Sequence, residues 1–87
     1  VTAMTLLTEP RSDRCDRARE ALLRLSAEFD VVVTEIDLTG REGRGLAVQH
    51  AVSAAPGLLV DGVLYSCGEL DAARLRSTLA SVRPIGG

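Results

Sequence analysis

The sequence predicts a mixed α/β sandwich: a parallel strand pair joined through a helix, then an antiparallel hairpin, with helices on both faces of the sheet. Three observations predict it. An apolar stripe at helical spacing (Cys15, Ala18, Leu22, Leu25, Phe29) lies between two strand-like runs, at 4–8 and 31–37. A strand, a crossover helix and a second strand make a right-handed βαβ unit, so those strands are parallel. Two further apolar runs flank Asp61-Gly62, a strong hairpin signal because a type I′ turn needs positive φ at both central residues. A closing apolar stripe, Leu70, Leu75, Leu79 and Val82, marks a last helix with Arg74 and Arg76 on its outer side.

Each element has a local cause. Met4 to Thr8 is a short apolar run ended by Pro10, which has no N–H to extend a ladder. Ser12 or Asp13 caps the next helix by accepting orphan N–H groups of its first turn. Arg14, Arg17, Arg24 and Glu28 fall mostly off the apolar stripe, so the helix is amphipathic over about four turns. The stretch 31–37 is β-branched and half-polar, as a strand requires. Residues 39–45, with glycine at 40, 43 and 45, read as a mobile connection, and 46–52 as a short second helix. The glycine spacing is not that of a phosphate-binding loop, and no lysine follows. Gly57 to Val60 and Val63 to Cys67 are the hairpin strands, and Gly68 breaks the second. Glu69 and Asp71 open the last helix, where its positive end favours acids. Residues 1–83 read as one domain and 84–87 as a flexible tail.

Composition narrows the function. With 87 residues the chain suffices for one small core. Phe29 and Tyr65 are its only aromatics, so no stacking platform for single-stranded nucleic acid exists. The net charge of −2 also argues against a nucleic-acid partner. No apolar run is long enough to span a bilayer, and the start has no secretory pattern. Two cysteines without such a pattern point to a reducing cytoplasm, where a structural disulfide is not the default.

The element order, with Pro56 opening the third strand, resembles the thioredoxin/glutaredoxin fold over nearly the whole chain. The most specific stretch is Val52-Ser53-Ala54-Ala55-Pro56-Gly57-Leu58-Leu59-Val60-Asp61-Gly62. It resembles the segment of small thioredoxin-like proteins in which a cis-proline precedes a short hairpin. Thr8-Glu9-Pro10-Arg11-Ser12-Asp13-Arg14-Cys15-Asp16 resembles the glutaredoxin strand-to-helix turn that carries Cys-x-x-Cys-Asp. Ser12 falls on the first cysteine of that motif and Cys15 on the second. The resemblance implies a glutaredoxin-sized β-α-β-α-β-β-α fold, with a mixed four-stranded sheet. It also implies a cis Ala55–Pro56 bond beside the active-site turn.

The missing first sulfur limits the chemistry that the resemblance implies. In the family the first cysteine is the exposed nucleophile, and a serine alcohol without a base cannot replace it; the single histidine, His50, belongs to the second helix. Ser12 reads as a helix cap, and ordinary dithiol exchange is not expected. Two readings of Cys15 stay open: a small buried apolar residue on the inner helix face, or a monothiol favoured by the helix N-terminus, Arg11 and Arg14. Cys67 is either a resolving thiol near Cys15 and Pro56 or a strand residue half covered by the last helix. Cys15, His50 and Cys67 lack the close paired spacing of a metal site.

The resulting expectation is a thiol-redox protein with an atypical Ser-x-x-Cys site and no bound cofactor. Cys15 and Cys67 would be its reacting thiols, and Ser12, Ala55 and Pro56 its substrate contacts. Glutathione would serve as co-substrate, with Arg11, Arg14, Arg41 and Arg44 as an anion-friendly rim or an ordinary solvated surface. Partners would be proteins or small thiols, and the chain a monomer or weak dimer. The alternative is a catalytically inactive module that binds a protein or peptide through the cis-proline groove.

Overall fold

A computed structural model describes residues 2–81. Val82 and the tail at 84–87 lie outside the described residues. The elements run β1 (Thr2–Thr8), α1 (Asp13–Glu28), β2 (Val31–Asp37), α2 (Arg41–Gln49), β3 (Gly57–Val60), β4 (Val63–Cys67) and α3 (Ala72–Ser81). The sheet order is β2-β1-β3-β4. β1 pairs parallel with β2 and antiparallel with β3, and β3 pairs antiparallel with β4. This is the mixed four-stranded sheet and β-α-β-α-β-β-α order that the sequence predicts. None of the described helices is long and apolar enough to cross a membrane.

Strand alternation divides the core between two faces. Met4 and Leu6 from β1 and Leu58 from β3 meet Ala18, Leu22 and Leu25 of α1 and Leu75 and Leu79 of α3. Each fully buried leucine contributes roughly 2 kcal/mol of transfer free energy, so the centre of the core is aliphatic and Tyr65 packs only against its edge. Phe29 packs only at its margin. Leu7 and Leu59, of opposite parity, are buried on the other face. There Val52, just after α2, closes over Gly57 and Leu7. Asp61 and Gly62 both take positive φ, 51° and 82°, as the hairpin signal requires. Asp61 also accepts from the Ala3 N–H and donates to the Ala3 carbonyl, tying the hairpin tip to β1.

Two sequence expectations are corrected. The glycine-rich stretch is not a mobile loop: α2 begins at Arg41 and ends at Gln49, earlier on both sides than 46–52. Gly40 stands at its N-cap, and Gly43 is buried against the end of β2. A Cβ on Gly43 would sit 2.1 Å from the Asp37 carbonyl oxygen, so this glycine permits a close helix–strand approach. The last helix begins at Ala72, with the Asp71 carboxylate accepting from the Arg74 N–H as its cap. Glu69 precedes the helix and pairs instead with Arg17 at 3.5 Å.

Candidate functional site

The turn from β1 into α1 is shaped by capping. Pro10 ends the strand, and Arg11 takes the left-handed region at φ 58°, which costs a side-chain-bearing residue about 1 kcal/mol. Ser12 is then extended, and its Oγ accepts from the Cys15 N–H at 3.3 Å. Ser12 is therefore the N-cap, with Asp13 and Asp16 in the first turn beside the positive helix end. The helical stripe that predicts a buried face also carries Cys15 inward, where it is 1% exposed.

The second half of the site is the segment entering β3. The Ala55–Pro56 peptide bond is cis, and both residues are buried. Gly57, directly after Pro56, pairs with Leu7 on β1 and with Cys67 on β4. The Gly68 N–H donates to the Ala54 carbonyl at 3.3 Å, pinning the loop to the end of β4. Cys67 is exposed there, its Sγ 3.8 Å from Ser53 Oγ. It is not half covered by the last helix. A register irregularity between Leu58 and Leu59 interrupts the alternation of the hairpin, and α3 touches Tyr65 instead, through Thr78. Cys15 and Cys67 are both free thiols, one shielded and one open to solvent.

Beside this loop runs a groove of about 410 Å³ bounded by α2 and the end of β1. Val52, Ser53, Ala54 and Ala55 line it together with Leu38, Ala47 and Val48, with Glu9 and Arg44 as its charged groups. Val48 is 84% exposed, the most open large apolar side chain among the described residues. Arg14 lies elsewhere, in a groove of about 310 Å³ shared with Arg17, Arg24, Glu20 and Glu69. The four arginines considered for an anion rim thus divide, with Arg44 and Arg14 on separate surfaces and Arg11 and Arg41 solvent-exposed. His50 caps the C-terminus of α2.

Sequence reasoning missed a polar clamp under the turn. Glu35 on β2 accepts from Arg19 Nε at 2.6 Å and Nη2 at 2.8 Å, and from Thr8 Oγ1 at 3.1 Å. Arg19 also donates to Asp16 at 2.8 Å. Glu35 shares strand parity with Val31 and Val33, which face α1, and a carboxylate at such a position calls for a cation on the helix. That parity was the available signal. The Arg19 hydrogen bonds, aided by Thr8, hold the Glu35 carboxyl below its usual range. A lowered native value stabilises the fold above the ordinary carboxylate range, and the gain is lost as pH falls through that lowered value. Urea midpoints of the wild type and Glu35→Gln are therefore expected to differ modestly at neutral pH and to converge well below pH ~4.

Comparison with known proteins places this geometry. No protein-family model matches the chain, and no curated protein matches its sequence. Solved structures do match. A mutant thioredoxin from Halobacterium salinarum superposes with TM-score 0.74 at 21% identity, over 92% of this chain and 73% of that one. Oxidized thioredoxin O2 from Arabidopsis thaliana gives 0.75 at 22%, over 94% and 75%. Oxidized mitochondrial thioredoxin 3 from Saccharomyces cerevisiae gives 0.73 at 18%, over 93% and 78%. Sheet order, element order and these superpositions agree that the chain has the thioredoxin fold.

Proposed function

We propose that this chain is a thiol-redox protein acting through single-thiol mixed disulfides, with an atypical Ser-x-x-Cys site. In this reading Cys67 is the sulfur that meets the partner and Cys15 is the shielded one, the reverse of the order expected from sequence. The observation that carries the reading is the contrast in exposure: Cys67 is open to solvent beside Ser53 and the Ala55–Pro56 loop, while Cys15 is 1% exposed. Thiol exchange requires a thiolate that can reach a disulfide in line, and only the exposed sulfur meets that requirement in the folded state.

The step balances without a cofactor. The Cys67 thiol loses its proton to solvent, and its thiolate attacks one sulfur of a partner disulfide. A bond forms between Cys67 Sγ and that sulfur, and the other partner sulfur leaves as a thiolate. A second thiol, such as glutathione, then attacks the mixed disulfide and releases Cys67. Ala55, Pro56 and Ser53 would steady the partner backbone, and Ser12 would line the neighbouring turn. Incubation with glutathione disulfide followed by intact mass measurement tests this. The wild type and Cys15→Ser are expected to gain one glutathione adduct, and Cys67→Ser to gain none. Adduct formation by Cys67→Ser but not by Cys15→Ser would return the chemistry to Cys15.

Two observations favour a second reading, a binding module without redox activity. Ser12 Oγ is committed to the Cys15 N–H as a cap, and the apolar groove beside Ala54 and Ala55 is open. In that case no variant forms an adduct, and peptide binding is unaffected by Cys67→Ser.

A further inference from the structure

The two edges of the sheet are defended unequally. β4 is five residues long and carries the register irregularity opposite Leu58 and Leu59, both devices that discourage strand addition. β2 is seven residues long and regular, and has neither proline nor a basic residue. Its two carboxylates are both engaged, Glu35 by Arg19 and Asp37 by Thr39. The α2 helix covers only the C-terminal end of β2, where Gly43 meets Asp37. At the other end Ala3 is exposed and Val32 is 57% exposed.

We propose that the free edge of β2 pairs antiparallel with β2 of a second copy, joining two sheets across a two-fold axis at Thr34. The backbone selects this register. The Asp30 carbonyl and the Leu38 N–H bond to β1, so even positions of the strand face β1 and odd positions face outward. Of the outward groups, the Val31 N–H is taken by the Phe29 carbonyl and the Asp37 carbonyl by the Gly40 N–H. Among the described residues, the outward groups without a partner are the Val31 carbonyl, both groups of Val33 and of Glu35, and the Asp37 N–H. Centring the pair on Thr34 sets Val33 against Glu35 of the second copy and Val31 against Asp37, and every free group then finds a partner. Shifting the centre to Val33 strands the Asp37 N–H, and shifting it to Glu35 opposes two like charges.

The side chains agree with this register. It sets Val32 beside Ile36 of the second copy, on the face that carries that copy's α2. The bare end of each β2 therefore lies against the covered end of the other. A parallel arrangement would align the acidic ends and leave both Val32 side chains bare.

Sedimentation equilibrium over a concentration series tests the proposal, with amide exchange as a second readout. The wild type is expected to show a monomer–dimer equilibrium, with slowed exchange at Val33, Glu35 and Asp37 as concentration rises. Val33→Pro removes an outward N–H that the monomer does not use, a place where an edge strand tolerates proline. It is expected to raise the dimer dissociation constant at least about tenfold, because one donor is lost from each copy. Val32→Lys, on the exposed face, is expected to do the same and decides the matter if Val33→Pro loses its circular-dichroism spectrum. A wild type that stays monomeric at every concentration, or a dimer indifferent to both substitutions, overturns the proposal.

Discussion

Ser12→Cys is expected to create protein-disulfide reductase activity where the wild type shows only background. The geometry of the turn supplies the reasons. Ser12 Oγ already sits 3.3 Å from the Cys15 N–H at the positive end of α1, so a thiolate there would be held by an N–H donor and the helix terminus. Cys15 lies one turn along the helix, within reach as the resolving sulfur once the turn opens. The introduced thiolate would attack a client disulfide, and Cys15 would displace the client and close an intramolecular disulfide. An external dithiol would then reduce it. The measurement is dithiothreitol-driven reduction of insulin, with at least about a tenfold gain over the wild type as the expected result. The cost is part of the cap, about 1 kcal/mol of stability. No gain would mean that the turn is no longer shaped for exchange, although the fold is retained.

The second large effect concerns two glycines two positions apart in α2, with opposite signs. Gly43→Ala would force a Cβ to 2.1 Å from the Asp37 carbonyl oxygen and 2.8 Å from the Leu38 Cα. Both are backbone atoms, so relief requires the helix to lift from β2. The better helix propensity of alanine offsets about 1 kcal/mol, and overpacking of this severity costs at the upper end of about 1–3 kcal/mol or more. A net loss of about 2 kcal/mol is expected, lowering Tm by roughly 10 °C in a domain of this size. Gly45→Ala meets nothing within 4 Å and is expected to gain about 0.5–1 kcal/mol from propensity alone. Thermal melts of the two variants should move in opposite directions. Movement in the same direction would contradict the close approach of α2 to β2.

These glycines also show where sequence reading stops. Local periodicity is legible when packing follows it: Cys15, Ala18, Leu22 and Leu25 all lie buried at the predicted spacing. Turn chemistry is legible when a backbone conformation demands a residue, as at Asp61 and Gly62. Gly43 looks like a loop residue because its purpose is tertiary. The carbonyl it accommodates belongs to Asp37, and nothing in the local pattern announces that contact. The exposure of Cys67 is hidden from the sequence for a related reason. Strict alternation cannot anticipate a register irregularity between Leu58 and Leu59, so of the two readings of Cys67 the half-covered one gives way to an exposed one. The partners of Glu35, Thr8 and Arg19, are separated from it by 27 and 16 positions, and only the fold brings them together.

The Ser12 turn and the Ala55–Pro56 loop occupy the same end of the sheet, because Leu7, Gly57 and Cys67 are neighbours across β1, β3 and β4. That placement makes Cys67 part of the candidate site. The burial of Cys15 makes it a poor first reactant.

Site-resolved alkylation of the native protein tests the account most directly. Iodoacetamide labelling is followed by peptide mass analysis across pH, with and without denaturant. The account predicts that Cys67 is modified in the folded state and that Cys15 is modified only after unfolding, with glutathione disulfide protecting Cys67 alone. Native modification of Cys15 at a rate equal to or above that of Cys67 would contradict it.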